Sequence, residues 1–235
     1  MVDMHWFSIE HSRWAYRADF ALYALATVGL LAFLVISSPV AAVWELLASM
    51  LAGLLVWTGL EYLLHRFVLH GVAPFSDWHA QHHARPRALI CTPTWLSAGL
   101  IAGLVFLPAW AWGSSAQASA LTLGLLLGYQ AYAVMHHAIH HAHSRNRWLL
   151  HCRQWHGLHH QAQSADPGCY GVTSRVWDHL CGSNNSAAEV GLPAHRRPKG
   201  QHLKPRLRRS AHSTPSPALR RQRATEALKP TESKQ

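Results

Sequence analysis

The sequence predicts an all-α integral membrane protein, with four transmembrane helices in two hairpins and a cytoplasmic cap of short, histidine-rich helices. Three observations point there. Apolar residues make up 49% of the chain and charged residues only 14%, against roughly 25% charged in an ordinary soluble domain. Four long runs are nearly free of charge, and from Ala88 to Ser144 there is no Asp, Glu, Lys or Arg at all. The two loops expected on one side contain no Lys or Arg, so all 21 basic residues and both histidine groups fall on the other.

Residues 1–19 mix Trp6, Trp14 and Tyr16 with Arg13 and Arg17. That is an interfacial composition, too polar for the apolar core of a signal peptide. The first run, Phe20 to Ile36, stops at Ser37-Ser38-Pro39. About 20 apolar residues cross a bilayer, a length this run reaches with its neighbours. The second run, Val40 to Leu64, has Glu45 near its start and Glu61 near its end. A third, Trp95 to Trp112, closes on tryptophans and a Gly-Ser-Ser turn, and a fourth, Ala116 to Met135, leads into HHAIHHAH. The loops Ser37–Pro39 and Gly113–Gln117 then share one face. An excess of Lys and Arg marks the opposite face, with both termini, as cytoplasmic.

After the fourth span come QAQSADPGCYGVTSRVWDHLCGSN, where Asp166-Pro167-Gly168 reads as a turn, and then a change of composition. Nine Lys/Arg balance nine Asp/Glu from Met1 to Ala194, whereas His195 to Gln235 holds twelve basic and two acidic residues. We therefore expect a membrane domain over 1–184 and a basic, disordered tail over 185–235. Beside a bilayer such a tail attracts anionic lipid at about 1 kcal/mol per charge. It has no interleaved aromatics for base stacking, so no nucleic-acid partner is expected. Cys91, Cys152, Cys169 and Cys181 lack CxxC spacing and read as reduced thiols.

The candidate site lies in Glu61–Arg85, EYLLHRFVLHGVAPFSDWHAQHHAR, and its echo at His136–His160. Each stretch joins a loose histidine pair to a tight HxxHH: His65 and His70 precede His79, His82 and His83, while His136 and His140 precede His156, His159 and His160. Offsets of three and four share a helix face, so each HxxHH can point one way. His65 and His70, five apart, diverge by about 140° on a regular helix and suit two adjacent ions better than one. A catalytic zinc takes about three protein ligands and a structural one four; ten imidazoles match two ions at five each. Imidazole suits iron, zinc, copper and nickel alike. The HxxHH segments contain no acid, unlike carboxylate-rich dinuclear bundles built on Glu and ExxH motifs. His5, His11, His179, His195, His202 and His212 lack the spacing; His137, His141, His143 and His151 either flank the set or face solvent.

EYLLHRFVLH, WHAQHH, MHHAIHH, WHGLHH and the closing YGVTSRVWDHLCGS together resemble the fatty acid hydroxylase superfamily, which includes sterol desaturases and fatty acid 2-hydroxylases. The similarity runs from about Glu61 to Ser183. It implies a dinuclear centre, functionally two iron ions with zinc possible in the same positions, that uses O2 to hydroxylate or desaturate a lipid C–H bond. By motif, the implied ligands are His65, His70, His79, His82, His83, His136, His140, His156, His159 and His160. Asp178 would either orient a ligand imidazole through a hydrogen bond or serve as a helix-end or surface acid. Gly171 and Thr173 would shape a turn under the site, and Trp78, Trp155 and Trp177 would be interfacial anchors near a lipid headgroup. Ala133 departs from the family, which often has Asp there. There is no HPGG haem motif and no GxGxxG fingerprint, so electrons are expected from a separate electron-transfer protein. Two alternatives stay open. Carotenoid hydroxylases share the histidine motifs but lack the GVTS–WD segment, and a non-catalytic membrane metal-binding protein would place histidines or acids within the spans.

Overall fold

The computed structural model describes residues 10–161 and 167–184, all within one compact unit, Met1–Pro193; the basic unit Ala194–Gln235 lies outside the described residues. The expected tail, the Asp166 position and His5, His195, His202 and His212 therefore lie outside them as well. Helix α1 (Arg13–Ser37) is capped by Ser12, whose hydroxyl accepts from the Ala15 amide, and its C-cap Ser38 is extended, the conformation a following proline imposes. Helix α2 (Val43–Leu63) is entered through a 3-10 turn, Val40–Ala42, and continues into a π-helical turn, Leu64–Leu69. The short helix α3 (Phe75–Ala84) follows. Next, α4 (Thr94–Ile101), a π-helical segment (Ala102–Phe106) and α5 (Leu107–Trp112) form one rod. The ladder widens beside Pro108, which lacks an N–H and crowds the preceding turn. Helix α6 (Ser115–His141) opens with a Ser114–Gln117 capping box, each side chain satisfying a free amide of the first turn. Two shorter helices, α7 (Arg147–Gln161) and α8 (Val176–Leu180), complete the described chain.

Four helices are long and apolar enough to cross a membrane: Arg13–Ser37, Val40–Leu69, Thr94–Trp112 and Ser115–His141. They contain the four runs, extended by up to seven residues where polar ends continue the helix. The last of them is the axis of packing. Half of its apolar window is buried, against at most 11% in the other three. Leu25, Val35, Leu55 and Leu104 remain exposed, as expected for helices whose outer faces meet acyl chains.

The α2–α6 contact is closest where side chains are missing. A Cβ on Gly53 would lie 1.9 Å from the Leu121 carbonyl oxygen, and one on Gly124 1.8 Å from that of Met50. Small residues permit such approach between membrane helices, where dispersion replaces the hydrophobic driving force. Gly124→Leu must therefore separate the two backbones, at about 1–3 kcal/mol or more. We expect it to lower the melting temperature in detergent by several degrees, while Gly29→Leu, with nothing within 4 Å of its Cβ position, leaves it unchanged.

Helix α1 packs on α6 as well and is tied to α4 by polar contacts: Thr94 Oγ1 donates to Asp19 Oδ1 at 2.6 Å, and Tyr23 and Ser97 hydroxyls meet at 2.7 Å. At the histidine-bearing end, α7 packs on α6, α3 on the π-helical turn and α8 on α2. The Arg153 guanidinium donates to the carbonyls of Ile139, Ala138 and Ala142, satisfying the open end of α6.

Candidate metal centre

All ten histidines singled out by spacing come together at this end. His65, His70, His79, His83 and His159 form one group and His82, His136, His140 and His156 a second, each with candidate ligand atoms within 4.8 Å of one another. His160 adjoins the second group, its Nε2 3.0 Å from that of His156. Neither group includes a carboxylate or thiolate.

Two expectations from spacing are corrected. His65 and His70 join the same group instead of facing two ions, because the turn between them is π-helical. With i→i+5 hydrogen bonding, residues five apart sit nearly above one another. Nor does either HxxHH act as a single unit. The i, i+4 pair His79 and His83 serves one group while His82 crosses to the other; His156 and His160 serve the second while His159 crosses to the first. The two halves of the chain exchange their middle histidines reciprocally.

The nitrogen spacing matches coordination. In the first group the Nε2 atoms of His65 and His79 are 3.0 Å apart, His79 and His83 3.0 Å, and His70 and His159 3.2 Å. In the second, His136 and His140 are 3.3 Å apart and His140 and His156 3.1 Å. Two nitrogens each about 2.0–2.1 Å from a common ion, at roughly a right angle, are about 3 Å apart. Tautomers agree for two of the rings. His65 Nδ1 lies 2.6 Å from the Tyr170 carbonyl and His159 Nδ1 2.8 Å from that of Gly168. A carbonyl only accepts, so Nδ1 carries the proton and the Nε2 lone pair faces the centre. His82 is 4% exposed and neither of its nitrogens has a hydrogen-bond partner, an orphaned state that is costly without a ligand.

Burial, followed by repulsion from neighbouring imidazoles, lowers His79, His156 and His159 far below the ordinary histidine value, His82 to about 2 and His160 to about 3; burial alone lowers His83. These rings stay neutral across the physiological range, the form that binds metal.

Two buried carboxylates hold the floor of the site. Asp178 is fully buried and reaches no imidazole directly: it accepts from the Tyr170 and Gly171 amides at 2.9 and 2.8 Å and from the Ser183 hydroxyl at 2.7 Å. It holds the amide of Tyr170, the residue whose carbonyl faces His65 Nδ1. Gly171 is required there, since a Cβ would lie 1.9 Å from the Ser174 carbonyl oxygen and 2.9 Å from Asp178. Glu61, to which the sequence assigned no role, accepts from the Val172 and Thr173 amides at 2.8 Å and from the Thr173 hydroxyl. Its signal was available, because an acid near the end of an apolar span is costly unless used.

Other residues fall elsewhere. Trp155 is 8% exposed under the Arg175 guanidinium and is packed inside, not an interfacial anchor; Trp177 is half-buried and donates its indole N–H to Thr58. Trp78 lines a cavity of about 120 Å³ that opens onto His79, His82 and His136. His11 pairs with Cys91 and His179 with Asn184, while His143 and His151 are exposed. All four cysteines are free thiols.

The chain matches the family model described as fatty acid hydroxylase over residues 50–183. It is 32% identical over 146 residues to a dihydroceramide fatty acyl 2-hydroxylase of Arabidopsis thaliana, covering 56% of this chain and 58% of that protein. It is 27% identical over 139 residues to the fatty acid 2-hydroxylase of Homo sapiens, covering 54% and 37%. The chain thus spans between about a third and three-fifths of these relatives' lengths. A structure of full-length scs7p, in which only the hydroxylase domain is visible, superposes with a TM-score of 0.61 at 22% identity, covering 74% of this chain and 67% of that one. At that identity the likeness concerns the fold alone.

Proposed function

Because the chain belongs to the fatty acid hydroxylase family, we propose that it is a membrane oxygenase that hydroxylates, or desaturates, an unactivated C–H bond of a lipid. A fatty acyl chain is favoured over a sterol or carotenoid by the relatives' names. The proposed ligands are the ten histidines His65, His70, His79, His82, His83, His136, His140, His156, His159 and His160. Two ions held there, iron in function with zinc able to occupy the same positions, would supply the activation of O2 and the oxidising power for C–H cleavage. Electrons come from a separate protein.

The observation that carries this reading is the convergence of neutral imidazoles at coordination spacing, with no acid in either group, beside a cavity walled partly by apolar and aromatic side chains. The protein's own part is positional. Tyr170 and Gly168 carbonyls fix two ring tautomers. Phe20, Leu69, Phe75 and Trp78 line the cavity against His82 and His136; they hold a methylene chain alongside the site and keep water from it. We read the four spans as two helical hairpins, with the termini and the histidine cap on the cytoplasmic side.

Lipid extracts of cells with and without the chain test the activity by mass spectrometry. The expected result is a new acyl species heavier by one oxygen, or lighter by two hydrogens for a desaturase. Identical lipid profiles under aerobic growth would contradict it.

A further inference from the structure

Beside the cavity at the histidines lies a second one of about 440 Å³, lined by Arg13, Tyr16, Arg17, Phe20, Leu89 and His137. Tyr16 and Phe20 wall both cavities, so the two adjoin. The four α1 residues sit at i, i+3, i+4 and i+7, one stripe of a helix. Its outer end is cationic and its inner end aromatic. Neither guanidinium is paired with a carboxylate among the described residues; Arg17 rests over the Trp14 ring at 5.7 Å. Across the cavity the Tyr16 hydroxyl lies 3.2 Å from His137 Nδ1. The acids nearby are committed elsewhere: Asp19 to Thr94 and Glu10 to Arg85.

We propose that this cavity binds the anionic headgroup of the lipid substrate, a carboxylate or phosphate, and that Tyr16 and Phe20 pass its tail on to the histidine site. A planar guanidinium fork matches such oxyanions, and a neutral or zwitterionic head leaves the two positive charges uncompensated. The inference rests on the proposed oxygenase reading for the word substrate, but binding itself can be tested apart from catalysis.

The test uses the full-length chain, purified in mild detergent with its metal, and native mass spectrometry of bound lipid. Equal amounts of phosphatidic acid and phosphatidylcholine with identical acyl chains are offered, and oleate is offered separately. The wild type should retain phosphatidic acid at least tenfold over phosphatidylcholine. Arg13→Gln/Arg17→Gln should lose that preference with metal content unchanged, and Arg13→Lys/Arg17→Lys should restore part of it. The basic tail is present throughout, so it cannot account for the difference. Retained oleate and no displacement by millimolar inorganic phosphate would support a lipid site; displacement by phosphate alone would reduce it to a plain anion site and overturn the proposal. Equal retention of both phospholipids, or an unchanged preference in the glutamine variant, would overturn it too. Loss of hydroxylated product from the wild-type comparison, with headgroup preference intact, would instead remove the oxygenase reading.

Discussion

His82→Ala and His159→Ala are each expected to abolish the lipid product while the protein remains in the membrane at normal abundance. These two imidazoles cross between the halves, His82 from α3 to the group on α6 and α7, and His159 from α7 to the group on the π-helical turn and α3. Removing either opens one proposed coordination set and also cuts a link between the halves. Loss of a partner that merely supports a ligand costs about 10–100-fold in metal affinity or activity, so loss of a ligand should exceed a hundredfold. Product formation by mass spectrometry and bound metal by elemental analysis check this. The exposed His151→Ala serves as the control and should behave as wild type. Full activity in either crossing variant would remove that histidine from the ligand set.

Asp178→Ala should be the most damaging change outside the histidines. It removes the acceptor of the buried Tyr170 and Gly171 amides and leaves the Ser183 hydroxyl only its contact with the Tyr62 hydroxyl. Each buried donor left unmade costs about 1–3 kcal/mol, a large part of a typical folding free energy. The Tyr170 carbonyl that orients His65 moves with them. Expected results are a fall in melting temperature of ten degrees or more and a metal content well below wild type. Asp178→Asn, which keeps the shape and one acceptor, should be intermediate. Glu61→Gln should follow the same pattern more mildly, since a carboxamide still accepts from the Val172 and Thr173 amides. Unchanged metal binding in Asp178→Ala would show that the loop does not support the site.

The four spans were legible because charge is excluded from apolar helices and the breaks at Ser38–Pro39 and Gly113–Ser114 are chemically plain. The ten histidines were legible as a set because their offsets repeat in two stretches. Their division between two groups was not. Sequence spacing presumes a regular helix, and the π-helical turn at Leu64–Leu69 rotates His70 back over His65. The split of each HxxHH depends on how α3 and α7 face each other, which is a long-range fact. Asp178 could be seen as a candidate but not its means of action, since it grips a loop and touches no ring. Glu61 was visible only as an acid in an expensive place, and its partners lie more than a hundred residues away. Trp155 and Trp177 have the composition of interfacial anchors, but tertiary packing buries one and engages the other.

Each of the two converging imidazole sets is proposed to hold one ion. Elemental analysis of the purified full-length chain, expressed with iron and kept from chelators, tests this directly. The expected value is about two transition-metal ions per chain, falling to one or fewer in both His82→Ala and His159→Ala. A chain that binds no metal, or one whose metal content is indifferent to both substitutions, would contradict it.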